Sequence, residues 1–110
     1  MKKEPTKKEA IKFDAEKLPL DLLAFEALEG TAEVLRFGAK KYGAHNWREG
    51  MSWSRLFAAL LRHLFLWARG KDYDAESGLR HLDHAACCLM FLQSYARNNV
   101  GTDDRSYSAN

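Results

Sequence analysis

Glu26, Glu29 and Glu33 fall at i, i+3 and i+7, the spacing that stacks three carboxylates along one side of a helix. Carboxylates about 6 Å apart repel by roughly 3 kcal/mol at an effective dielectric of about 20, and a divalent cation reverses that penalty. A solvated helix face accounts for the same residues, so spacing alone leaves both readings open. A second polar cluster asks for the same explanation: Asp72, Asp74 and Glu76, followed by His81, Asp83 and His84. His81 and His84 share a helix face at i and i+3, whereas Asp83 points elsewhere. Their imidazoles can donate hydrogen bonds to phosphate or carry protons, because an unperturbed imidazole titrates near neutrality. Helix-capping acids beside two histidines at a packing boundary are the plainer alternative.

Between these clusters Arg55, Arg62 and Arg69 repeat every seven residues, a stripe suited to planar oxyanions or to the exposed edge of a buried helix. His63 falls on a different face from Arg62 and reads as a packing residue. Carboxylates on one segment, acid and histidine on another, and arginines between them suit phosphoanhydride hydrolysis. Cations held by carboxylates bridge phosphates, lower the pKa of a bound water and stabilise charge on the leaving group. Other chemistries lack their residues. Gly38 and Gly43 have phosphate-loop spacing, but Ala44 and His45 stand where Lys and Ser/Thr are required. Paired E-x-x-H motifs, H-E-x-x-H and G-x-S-x-G are all missing.

Three helical segments must position these groups. Apolar residues from Leu22 to Phe37 recur at mostly helical spacing, which predicts a helix over about 19–41 with Pro19 in its first turn and Gly43 as its stop. Gly30 lies inside it at a cost of roughly 1 kcal/mol relative to Ala, so either the helix bends there or something packs closely. Residues 43–52 read as an ordered, function-bearing loop around His45 and Trp47. A second helix, capped by Ser52 or Ser54, runs from Trp53 towards Gly70 and is apolar around most of its circumference, which predicts the central position. The acidic loop 71–78 and a third helix over about 79–98 follow.

The 110 residues, 46% hydrophobic and 29% charged, suit one globular domain that needs no disulfide. A net charge of +2 is too small to argue for nucleic acid or a membrane surface. Cys87 and Cys88, adjacent in an apolar run, read as buried thiols in a reducing cytoplasm, and the first residues lack the apolar stretch of a secretory signal. The expected organisation is a flexible basic N-terminus over 1–12, one all-α domain over 13–99 and a disordered tail over 100–110. Three helices leave apolar surface over, and self-association would cover it.

Taken together and in order, LDLLAFEAL, FGAKKYGAHNW, RHLFLWARG and DAESGLRHLDHAACC resemble the phage and prophage dATP/dGTP diphosphohydrolases, a branch similar to the MazG-type all-α nucleotide pyrophosphohydrolases. The resemblance spans roughly residues 12–95. It implies a bundle of three to four helices completed as a dimer or tetramer. The implied reaction is cleavage of a purine deoxynucleoside triphosphate to monophosphate and pyrophosphate with Mg²⁺, or with Mn²⁺ or Co²⁺ in its place, in the cytoplasm of a cell or phage host.

The wider superfamily holds metal through E-x-x-E and E-x-x-D. Glu26 and Glu29 match the first pair. The second falls on Arg80 and Asp83, with His81 and His84 one residue later, so Glu76 or Asp83 is left to supply a carboxylate. Glu26, His81 and His84 become the catalytic candidates. Lys41, Tyr42, Asn46 and Trp47 match the block K-Y-G-x-x-N-W. By that match Lys41 meets phosphate, Asn46 reads a polar edge, and Trp47 or Tyr42 packs a base or closes the site; Arg55 and Arg62 join Lys41 as phosphate candidates. The alternative is a non-catalytic helical module that oligomerises and offers its charged loop to a partner. Neither reading involves a membrane or nucleic acid.

Overall fold

In the computed structural model, which describes residues 8–106, Pro19 leads into a single tight turn. The amide of Leu22 donates to the carbonyl of Pro19 and that of Leu23 to Leu20, an i→i+3 pattern that seldom propagates. Leu23 is then extended, with ψ 145°. The helix expected over 19–41 therefore starts later, as α1 over Phe25–Tyr42. It stops at Gly43, whose φ of 102° strains any residue with a Cβ. Helix α2 spans Trp53–Ala68 and α3 spans His81–Asn98, and no strand occurs among the described residues.

Helix α3, not α2, is central. It packs most heavily on α2 and also on α1, and four of the six buried residues among those described belong to it. Helix α2 buries Leu56 alone and leaves Phe57, Phe65 and Trp67 exposed. Its apolar residues therefore face α3 on one side only. The radius of gyration, 19.2 Å, exceeds the roughly 13 Å of a compact chain of this length.

The tail departs from expectation. Residues 100–106 do not hang free: the Trp53 amide donates to the Thr102 carbonyl at 2.9 Å, and the Trp53 indole donates to the Val100 carbonyl at 2.8 Å. Asp104 accepts from the amide and hydroxyl of Ser54 at 2.9 and 2.6 Å. Ser52 precedes α2 without capping it; the carboxylate that satisfies the first turn arrives from the other end of the chain. Residues 8–12 are exposed and irregular, while residues 1–7 and 107–110 of the two expected terminal segments lie outside the described residues. No helix among the described residues is long and apolar enough to cross a membrane.

Candidate functional site

The end of α1, the following loop, α2, the acidic loop and α3 surround a cleft of about 640 Å³. Lys41, Tyr42, Asn46, Trp47, Arg55 and Arg62, the six substrate candidates, all line it, together with Glu76 and His84. Gly43 turns the chain out of α1 so that residues 46–49 form a short 3-10 turn. Trp47 in that turn stacks on Phe91 at 4.5 Å, carries the Arg48 guanidinium over its ring at 4.4 Å, and accepts a hydrogen bond from the Tyr95 hydroxyl at its carbonyl. Trp47 is thus fastened into the fold, and Tyr42, 63% exposed, is the aromatic ring open to a ligand.

Lys41 and Glu76 meet at 2.6 Å across the mouth, and the hydrogen bond that the ammonium donates to Glu76 raises the lysine's pKa. Among the described residues neither Arg55 nor Arg62 has an ion-pair partner. Two helical turns separate them, about 10 Å along the axis, so they offer two free guanidinium groups along one wall.

Behind this wall lies a histidine cluster. His63 stacks on His84 with centroids 4.5 Å apart and planes 9° from parallel. The Nδ1 of His63 lies 2.9 Å from the Nδ1 of His81, which is only 2% exposed. The Nε2 of His84 lies 2.7 Å from the Ser77 hydroxyl, which with the Ser77 amide also donates to the Asp74 carboxylate at 2.9 Å. Burial lowers the pKa of both His63 and His84; for His63 the neighbouring His84 adds to the effect, and for His84 the attraction of Asp74 does not overcome it. Burial thus favours the neutral form of both rings. Burial pushes Asp74 upward, but the Ser77 hydrogen bonds and the flanking histidines outweigh it and hold the carboxyl below its ordinary range. Cys87, a free thiol that also lines the cleft, is pushed by burial up to about 12.

The residues nominated for Mg²⁺ divide between two places. Asp83 lays its carboxylate on Gly30, where any Cβ would collide with it, so the close packing anticipated at that glycine is the contact of α3 with α1. Glu26 lies one turn before Gly30 on the same side of α1, and Glu33 one turn after. Glu26 and Asp83 therefore fit a hard dication by donor type and placement. Glu29 lies about 60° further round the helix, and Glu76 is held by Lys41 in the cleft. The four do not gather tightly. Among the described residues, the triad whose ligand atoms all lie within 4.8 Å of one another is His63, Asp74 and His81.

Sequence reasoning missed His63 and passed over Asp74. Helix positions 55, 59, 62 and 63 occupy one sector about 100° wide, so His63 borders the same wall as Arg62; treating neighbours as opposite faces concealed this. The signal at Asp74 was D-x-x-S, an Asx turn.

The sequence profile described as dATP/dGTP diphosphohydrolase, N-terminal, matches residues 7–105. A protein of Salmonella phage PMBT28, named dATP/dGTP diphosphohydrolase, is 42% identical over 99 residues, covering 90% of this chain and 34% of that protein. The chain thus spans about a third of the length of that relative. No solved structure matches.

Proposed function

The chain belongs to the dATP/dGTP diphosphohydrolase family, and from that premise we propose that its cleft takes a purine deoxynucleoside triphosphate, dATP or dGTP, and hydrolyses it to the monophosphate and pyrophosphate. The observation that carries this reading is the convergence on one cleft of Lys41, Arg55 and Arg62 with Tyr42 and Asn46. The guanidinium groups on α2 grip the polyphosphate. Lys41 leaves Glu76 for a phosphate oxygen, which frees the glutamate. Tyr42 packs the base and Asn46 reads a polar edge of it. Water attacks the α-phosphorus, the bond to the bridging oxygen breaks, and pyrophosphate departs. His84, beside the cleft, takes the proton of the attacking water, with His81 buried behind it.

Of the four nominated ligands, Glu26 and Asp83 at the α1–α3 contact would hold Mg²⁺, or Mn²⁺ or Co²⁺ in its place, which would neutralise phosphate charge and acidify a bound water; Glu29 and Glu76 lie apart from that pair. We extend the proposal to a homo-oligomer, dimer or tetramer, because Phe25 and Leu28 beside Glu26 and Glu29 are 61% and 50% exposed. The same exposed face would serve a non-catalytic interaction module. A soluble nucleotide as substrate implies the cytoplasm, or that of a phage host.

The test is to incubate the protein with each common dNTP and NTP and Mg²⁺ and to identify the products by chromatography. Monophosphate and pyrophosphate from dATP or dGTP are expected, with turnover reduced about a hundredfold or more in Glu26→Gln. Diphosphate with orthophosphate would redirect the assignment. No turnover of any nucleotide would leave the interaction module.

A further inference from the structure

We propose that His63, Asp74 and His81 form a binding centre for a borderline transition-metal dication, distinct from the carboxylates of α1. Their ligand atoms all lie within 4.8 Å of one another. Two nitrogens bound to one ion at about 2.0–2.1 Å, at angles between roughly 90° and 109°, lie about 2.9–3.4 Å apart; the two Nδ1 atoms lie at 2.9 Å. For that contact to be a hydrogen bond a single proton must sit between the rings, and an ion takes its place.

The three ligands come from three elements, and each is fixed independently. Asp74 is oriented by the amide and hydroxyl of Ser77, the outer support that metal-binding carboxylates commonly have. The His81 amide donates to the Asp72 carbonyl at 2.9 Å, which ties the loop bearing Asp74 to the start of α3. His63 is held flat against His84. Imidazole and carboxylate together suit Zn²⁺, Mn²⁺ or Co²⁺ over Mg²⁺. Three protein ligands leave coordination positions open. His63 and Asp74 line the cleft with His81 buried behind them, so those positions face the cleft and accept water or an oxyanion.

This centre stands on ligand geometry, independently of the hydrolase reading. Its test is to strip the full chain with EDTA, titrate it with Co²⁺ while following the visible ligand-field bands, and then displace Co²⁺ with Zn²⁺. With excess Mg²⁺ present to occupy the α1 carboxylates, saturation at one Co²⁺ per chain is expected, with affinity lowered about tenfold or more in His63→Ala and in Asp74→Asn and unchanged in the double variant Glu26→Gln, Glu29→Gln. Circular dichroism verifies folding, and the part-exposed His63 and Asp74 are chosen over buried His81 so that at least one variant remains folded. Absence of the bands, or equal affinity in folded His63→Ala and Asp74→Asn, overturns the proposal. Nucleotide turnover with Mg²⁺ alone is measured in parallel. Turnover without Co²⁺ binding sinks this centre and spares the hydrolase, and Co²⁺ binding without turnover does the reverse.

Discussion

The facing sides of α2 and α3 and the segment that leads into α1 are built from similar residues and end in opposite states. At the first, Tyr95 is 1% exposed and His81 2%, and their polar atoms are bonded. At the second, Leu22 and Phe25 are 78% and 61% exposed. Apolar side chains are plentiful in both, so composition does not separate them; the presence of a facing helix does. The cleft and the histidine cluster are complete within one chain. Glu26 and Glu29 sit beside the exposed Phe25 and Leu28. Exposed apolar surface of that extent usually marks a contact, and a second copy of the chain is the occupant that the proposed oligomer supplies.

Three substitutions break or sharpen this contrast. The largest effect is expected from replacing Phe25 and Leu28 together by Glu, which charges the uncovered region and leaves the cleft intact. Mass by light scattering should fall from a multiple of the chain to a single chain; a single-chain mass for the unsubstituted protein would show the region needs no cover. Next is Gly30→Ala at the seam between the two regions. The added methyl displaces the Asp83 carboxylate, and overpacking of about 1–3 kcal/mol is set against roughly 1 kcal/mol of helix propensity gained, for a slightly lower urea midpoint; a raised midpoint would mean that the seam carries no load. The smallest effect is Asp104→Ala, which removes the cap of α2 at the complete end. A slight fall in Tm with faster amide exchange at Ser54 is expected, and unaltered exchange there would return the tail to the free state that its composition implies.

These positions also mark what the sequence makes legible. Helical periodicity places all three helices to within a few residues, because amphipathic spacing is a local property. Gly30 is legible as a point of close approach, though nothing local identifies Asp83 as the group that approaches. The six residues of the K-Y-G-x-x-N-W block and the arginine stripe share one cleft because short loops bring adjacent helices together. The cap from Asp104 is illegible: it joins residues fifty apart, and the tail that supplies it is polar and lacks periodicity. The misjudged centre has the same origin. Helix α2 is apolar enough to be central, but which helix occupies the middle depends on which faces meet, and in one chain α3 meets both neighbours. His63 was hidden for a smaller reason, a sector about 100° wide read as two faces.

The bridge between Lys41 and Glu76 also sets the entry rule for the cleft. A mouth that carries its own counter-anion leaves Arg55 and Arg62, among the described residues, as the unpaired cations of the cleft, so an incoming anion meets those first and reaches Lys41 only by exchange for Glu76. On the proposed reading, orthophosphate spans too little of the wall to make that exchange, whereas a triphosphate would reach Arg55, Arg62 and the lysine together. On that reading, discrimination by chain length of the phosphate would begin at the threshold, before any base is read.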